Sequence, residues 1–229
     1  MLTILIGRAK TGKSDTMLRR MAELGESSQQ ILLVPEHASH QAEVDVCRAC
    51  GDTASRHAEV LSFRRLGERV LSITGGIADV TLDNGGKLLT LQRALLETAP
   101  QMTVYRKPSQ KVGFLEQMLA LFDELRSYEV TPEILYQQAQ DMDGAPHDKL
   151  TDLSLLYAAY EARLRRPGLD ARDRMTKLCD HLEESGYVRD KDIFIDGFTY
   201  FNAQERRALA IFLRQARSVT ITLLGEVNS

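Results

Sequence analysis

Two hydrophobic rhythms alternate along this chain. Leu2-Thr3-Ile4-Leu5-Ile6 is a short apolar run closed by Gly7, which predicts a buried strand. After Ser14 the apolar positions Met17, Leu18, Met21 and Leu24 fall at helical spacing, and Gly25 stops them. Ile31-Leu32-Leu33-Val34 predicts the next buried strand, broken by Pro35, and a helix follows from about Ala38 to Cys50. Glu59-Val60-Leu61 gives a third strand. Ser62 then caps a helix whose apolar face is Phe63, Leu66, Val70 and Ile73, ended by Gly75-Gly76. Strand and helix in repetition mean a parallel sheet covered by helices.

From Asp83 the period changes, and no strand signal appears for about a hundred residues. Leu88, Leu91 and Leu95 mark one helix. Phe114, Leu115, Met118, Leu121, Phe122 and Leu125 mark a second with a near-ideal stripe. Thr131-Pro132 opens a third, as an N-cap followed by proline at the first helical position. Leu150, Leu153, Leu156, Tyr157, Tyr160 and Leu164 form a fourth, stopped near Pro167-Gly168; Met175, Leu178 and Leu182 form a fifth, ended by Gly186. The strand rhythm returns at Ile193-Phe194-Ile195-Asp196. Asn202-Ala203-Gln204-Glu205 has capping-box character before a helix with Leu209, Phe212 and Leu213, and Val219–Leu224 closes as a strand. The reading is an α/β core over 1–82 and 187–229, with an all-helical insertion subdomain over 83–186. The crossings fall between Gly75-Gly76 and Gly85-Gly86, and from Gly186 to Asp192. Ending just after a strand, the chain reads as a fragment of something longer.

Composition narrows the classes. With 43% apolar and 27% charged residues, disordered and collagen-like readings are out. No apolar run approaches the ~18–20 residues of a membrane span, and no basic segment precedes Met1–Ile6 as a signal peptide requires. A soluble, cytoplasmic protein is expected. The net charge of −3 argues against a surface that is basic all round, but leaves room for a local basic groove. Cys47-Arg48-Ala49-Cys50 has the spacing of half a metal site, yet Cys179 stands alone and no His pair completes it. Two small buried thiols on a helix is the expected reading.

One motif carries chemistry. Gly7-Arg8-Ala9-Lys10-Thr11-Gly12-Lys13-Ser14 matches G-x-x-x-x-G-K-[ST] at each fixed position, between a predicted strand and a predicted helix. Glycines let the backbone curl so that successive N–H groups cradle phosphates, and the helix start adds its positive end. Lys13 is the expected contact of the β- and γ-phosphates, and Ser14 offers its hydroxyl to Mg²⁺. ATP and Mg²⁺ are the implied cofactors. The partner acid belongs at the tip of a nearby strand, and Asp196 is the candidate. A hydrolase of this kind usually follows that Asp with a Glu that orients water; here Gly197 follows, so weak or absent ATPase activity is expected.

Lys13 and Asp196 stand 183 residues apart, with the helical insertion between them. Superfamily 1 DNA helicases carry such insertions, and the chain resembles one family closely: the B subunit of the AddAB-type ATP-dependent helicase–nuclease, also called RexB. The resemblance spans essentially the whole chain. It rests on Gly7–Ser14, on Leu33-Val34-Pro35-Glu36-His37 with Gln41 and Glu43, and on Val60-Leu61-Ser62-Phe63-Arg64-Arg65-Leu66. Downstream it includes Gly113–Gln117, Phe122–Leu125, Lys149-Leu150-Thr151-Asp152-Leu153 and Ile195-Asp196-Gly197-Phe198.

The resemblance implies a P-loop NTPase fold of the superfamily 1 helicase 1A type, with the insertion as its 1B-like part. It also implies a polypeptide that pairs with an AddA-type motor, binds DNA double-strand ends and single strands, and acts in recombinational DNA repair. Members of the family bind ATP without being the motor. The nuclease centre and a four-Cys iron–sulfur cluster belong to a C-terminal region outside this chain. Lys10 departs from the small residue usual at its place in the loop. Glu36, His37, Ser62, Phe63, Arg64 and Arg65 resemble DNA-contacting helicase segments, although Ser62 also reads as an N-cap and Phe63 as core. Two other classes stay open: a small-molecule or nucleoside kinase with a helical lid, and a non-catalytic P-loop scaffold.

Overall fold

The computed structural model describes residues 1–75, 82–106, 112–166, 169–170 and 173–225. The chain divides into two compact units, Met1–Ile77 with Arg174–Ser229, and Ala78–Asp173.

The first unit is built on strands β1 (Leu2–Gly7), β2 (Gln29–Leu33) and β3 (Ala58–Leu61), linked by helices α1 (Lys13–Leu24) and α2 (Ser39–Cys50) and followed by α3 (Phe63–Thr74). The second unit holds α4 (Asn84–Thr98), α5 (Val112–Ser127), α6 (Pro132–Gln140) and α7 (Ala145–Leu164), with a two-residue antiparallel pair of β4 (Arg165–Arg166) and β5 (Leu169–Asp170). The chain re-enters the first unit with α8 (Arg174–Ser185), β6 (Lys191–Ile195), α9 (Ala203–Gln215) and β7 (Ser218–Leu224).

The sheet is parallel throughout, in the order β1-β7-β6-β2-β3. Alternation along its central strands sorts side chains to two cores. Leu32, Val34, Val60 and Phe194 pack with Met17, Met21 and Val46 from α1 and α2. Ile31, Leu33, Ile193 and Ile195 face the other way, onto Leu66, Val70, Leu178, Leu182, Ile211 and Phe212 from α3, α8 and α9. Helices on both faces are what a parallel sheet requires, and they explain why β2 and β6 read as continuous apolar runs.

Two expectations need correction. Leu2–Ile6 is a strand, but not a buried one: β1 lies at the sheet edge with β7 as its single neighbour, and Leu2, Ile4 and Ile6 are exposed. The alternating exposure along β1 leaves the face of Leu2, Ile4 and Ile6 open and that of Leu5 against the core, which a short apolar run does not reveal. Furthermore, the second unit stops at Asp173, so α8 is not part of it. The stripe Leu178–Leu182, expected in the insertion, packs in the sheet-side core against α3. Gly67 faces Leu178 in this contact, where a Cβ would make an ordinary van der Waals contact with the Leu178 Cβ at 3.9 Å. A stripe announces that a helix is covered, not which core covers it. The Gly76 end of the first expected crossing and the Pro167-Gly168 stop lie outside the described residues.

Within the second unit, Phe122 stacks on Tyr157 with ring centroids 4.6 Å apart and also on Tyr160 at 5.8 Å. Burial pushes both tyrosine hydroxyls up to about 12. Arg126 lies beside them, paired with Glu161 at 2.7 Å and Asp123 at 2.8 Å. Its burial opposes the charge, but Glu161 and Asp173 together favour it, and its pKa is raised. Among the described residues no helix is long and apolar enough to cross a membrane.

Candidate nucleotide and nucleic-acid site

Register carries four chain segments to one edge of the sheet. Leu33 pairs with both Leu61 and Ile195, Ile195 with Ile221, and Gly7 with Leu224. The residues just beyond those strand ends are the Gly7–Ser14 loop, Pro35-Glu36, Ser62 and Asp196. In open parallel sheets this carboxyl edge is where ligands bind.

The loop runs from the end of β1 into α1 at Lys13. Gly12 supplies the left-handed turn, with φ of 80°, and provides no side-chain cap, so the first N–H groups of α1 stay available. At Gly7 the demand is steric, since a Cβ would come within 2.7 Å of the Thr11 Oγ1. That hydroxyl donates to the Arg8 carbonyl at 2.9 Å. The Lys13 ammonium folds over the loop and donates to the Gly7 and Arg8 carbonyls at 2.8 and 2.6 Å. Lys10, the unusual residue of the loop, is also left-handed, with φ of 61°. Ala9 and Lys10 are exposed at the loop tip.

Asp196 follows β6, separated from β1 by the interposed β7. Its backbone N–H donates to the Leu33 carbonyl at 3.0 Å, and its carboxylate accepts from the Thr222 hydroxyl of β7. Sequence reasoning missed Thr222, because strand-end threonines carry no distinctive signal. Ser14 and Asp196 line the same recess of about 160 Å³, with Met17, Val34 and Gln41 among its other walls. Asp45 also lines the recess, and one hydroxyl with two carboxylates suits a cation that takes its remaining ligands from water and phosphate, as Mg²⁺ does. Among the described residues no cluster of three or more His, Cys, Asp or Glu is available to hold a metal by itself.

Gly197 has a structural reason to be glycine. Its φ is 79°, and a Cβ there would lie 3.3 Å from the Pro35 Cδ. A water-orienting Glu is therefore not merely missing; the backbone is shaped against it. Gly197→Glu is expected to cost about 2 kcal/mol of stability and to create no ATPase activity. Denaturant melts and a turnover assay check this, and a stable, hydrolytically active variant would refute it.

Three of the DNA-contact candidates, Glu36, Ser62 and Arg64, are linked by hydrogen bonds. Glu36 and His37 lie exposed in a short 3₁₀ turn after Pro35, and Ser62 caps α3 by accepting from the Arg65 N–H at 3.3 Å. The Ser62 hydroxyl donates to Glu36 Oε2. Arg64 donates to Glu36 Oε1 from Nε at 3.2 Å and from Nη2 at 2.5 Å, and to Glu68 from Nη1 at 3.0 Å. Arg65 pairs with Glu43 at 2.6 Å. The hydrogen bonds from Arg64 and then Ser62 hold the Glu36 carboxyl below its usual range. Phe63 is half-buried against the sheet-side core and meets Phe198 edge-on at 5.7 Å, and Phe198 stacks on Phe201. Cap and core roles for Ser62 and Phe63 are thus realised, with the Glu36 contact in addition. Sequence reasoning missed that acids partner these arginines; the spacing of Arg64 and Glu68 four apart on a helix was the available clue.

The cysteines differ from expectation. Cys47 is exposed and Cys50 only half-buried, because this end of α2 turns its Cys47 face to solvent; Cys179 alone is fully buried. Burial, then proximity to Cys47, pushes the Cys50 thiol up.

A parallel α/β unit with a glycine-rich, lysine-bearing loop at its carboxyl edge, plus a helical unit, defines the class to which this chain is similar. The family model described as "ADDB, N-terminal" matches residues 4–229, and the chain belongs to that family. Curated relatives agree, each named as the B subunit of an ATP-dependent helicase/deoxyribonuclease. The protein of Clostridioides difficile (strain 630) is 30% identical over 99% of this chain, and that of Desulforamulus reducens is 36% identical over 97%. The protein of Geobacillus kaustophilus is 31% identical over 97%. In each case the match spans 20% of the relative's own length.

Proposed function

We propose that this chain is the ATP-binding, helicase-like portion of such a helicase–deoxyribonuclease polypeptide, with the P-loop NTPase fold of a superfamily 1 1A domain. In this reading Gly7, Arg8, Ala9, Lys10, Thr11, Gly12, Lys13 and Ser14 wrap the phosphates of ATP. Ser14 and Asp196 would hold Mg²⁺, which offsets phosphate charge when bound. The observation that carries the reading is the recess shared by Asp196 and Ser14, the residue that follows Lys13 at the start of α1. Lys13 would exchange its bonds to loop carbonyls for bonds to phosphate oxygens, which are stronger because both partners are charged. No carboxylate follows Asp196 to position water, so nucleotide is bound and not rapidly consumed.

Glu36, His37, Ser62, Phe63, Arg64 and Arg65 would face DNA at the same edge of the sheet. The helical unit, expected over 83–186 and here ending at Asp173, would serve as the 1B-like part. By the names of its relatives, the complete polypeptide would be the B subunit of an ATP-dependent helicase/deoxyribonuclease; a cytoplasmic location goes with that reading. Its partners would be an AddA-type motor protein and DNA double-strand ends, in recombinational repair. Nuclease chemistry and an iron–sulfur cluster would reside beyond this portion.

Steady-state ATP turnover with and without single-stranded DNA tests the proposal. Turnover near background under both conditions is expected. Robust DNA-stimulated hydrolysis would show a motor instead, and phosphorylation of a small acceptor would show a kinase.

A further inference from the structure

The cluster around Glu36 has the composition of an anion site that already contains an anion. A hydroxyl donor from Ser62 and two guanidinium donors from Arg64 converge on one carboxylate. The Arg64 pair, Nε with Nη2, here meets the single oxygen Oε1, and the same fork edge fits two oxygens of a phosphodiester. Ser62 stands at the N-terminus of a twelve-residue helix, where the dipole favours negative charge. Thus the Ser62 hydroxyl at the helix start and the Arg64 fork both suit a phosphate, and Glu36 occupies them instead. Its side chain and that of Arg64 are both more than half exposed, so the pair is open to exchange. Exposed ion pairs of this kind add little net stability, which leaves a polyanion able to compete.

We propose that Glu36 is a built-in competitor for nucleic-acid phosphate, occupying the Ser62–Arg64 donor set until a strand displaces it. This rests on the reading of the same segment as a DNA contact, and adds to it how that contact is held in check. Displacement would swap acceptors with no change of covalent structure. Ser62 O–H and the Arg64 fork pass from the carboxylate to phosphodiester oxygens, while Glu36 turns to solvent on its short 3₁₀ turn. The remaining bond from Arg64 to Glu68 keeps the guanidinium in place during the exchange, and Glu68 is itself tethered to Arg174 at 2.9 Å. Such a device discriminates against isolated phosphate or weakly held strands. An incoming ligand must supply several contacts at once to outcompete a carboxylate fixed within the same fold.

Fluorescence anisotropy with a labelled oligothymidylate, at several salt concentrations, tests this on the 229-residue chain. Glu36→Gln keeps the shape and removes the charge, and Glu36→Ala removes the carboxylate altogether. Both are expected to tighten binding about 3- to 10-fold and to steepen the salt dependence by about one released counterion. Arg64→Ala is expected to weaken binding, and the double variant Glu36→Gln/Arg64→Ala to lose the gain. If Arg64→Ala weakens binding but both Glu36 variants leave it unchanged or weaker, the competitor role is overturned and the DNA contact stands. If none of the variants alters binding, the DNA contact is wrong and the competitor falls with it.

Discussion

Replacing Lys13 with alanine is expected to weaken Mg·ATP binding by at least about 100-fold while leaving the fold in place. The magnitude follows from the two charge-assisted bonds that the Lys13 ammonium, now bonded to the Gly7 and Arg8 carbonyls, would give to phosphate in the proposed complex. The fold should survive because those hydrogen bonds go to Gly7 and Arg8, carbonyls of the loop itself, and not to the packed core. Calorimetry against the parent reads the affinity, and thermal unfolding reads the fold. Undiminished binding in the variant would remove the loop from the nucleotide site, whatever its resemblance to phosphate cradles.

The second large effect lies in the helical unit. Asp152 is 2% exposed, on α7, and its carboxylate accepts from the backbone N–H groups of Thr103, Val104 and Tyr105 at 2.7–3.1 Å. The segment after α4 therefore has its donors satisfied by one side chain reaching across from another helix. Asp152→Ala strips three donors of their acceptor and should cost about 2–3 kcal/mol, while Asp152→Asn keeps part of the set and costs less. Thermal unfolding should fall by about 5–10 °C for the alanine variant. A fall within about 2 °C would mean that solvent replaces the carboxylate at little cost and that Asp152 is dispensable.

That residue also shows how far the sequence is legible. Lys149–Leu153 stands out by its resemblance to a family pattern, which gives no physical account of why an Asp should sit inside an apolar stripe. The physical reason is a long-range backbone cap, and no local rule finds a cap whose target lies 49 residues away. Elements governed by local rules are readable: Ser62, Thr131 and Asn202 each cap the helix expected of them, the last with a full capping box. The Gly7–Ser14 loop is readable for the same reason, since strand, turn and helix are contiguous. Placement is not. β1 and β2 carry similar apolar runs, and only pairing order makes one an edge and the other a centre. The stripe of α8 gives no hint that it belongs with α3 and α9.

The site divides along the same line. Ser14 and Asp196 pair in the sequence only by analogy with phosphate-binding folds, and the common recess brings them together through long-range strand order. Gly197 reads in the sequence as the absence of a water-orienting Glu, a reading that carries no cause for the glycine itself. Its left-handed backbone and the neighbouring Pro35 ring supply the cause. For Arg64 and Arg65, sequence reports charge without its compensation. The carboxylates of Glu36, Glu68 and Glu43 come from another turn, the same helix and another helix respectively, and they convert an apparent basic patch into a neutralised one.

In the proposed function this fold holds a nucleoside triphosphate at the Gly7–Ser14 loop without hydrolysing it. Titrating Mg·ATP into the chain by calorimetry, then analysing the nucleotide recovered after incubation with single-stranded DNA, tests both halves together. Saturable binding at one site per chain is expected, lost on omission of Mg²⁺ or on Lys13→Ala, with the nucleotide recovered as ATP. Heats indistinguishable from dilution, or recovery of the nucleotide as ADP, would contradict it.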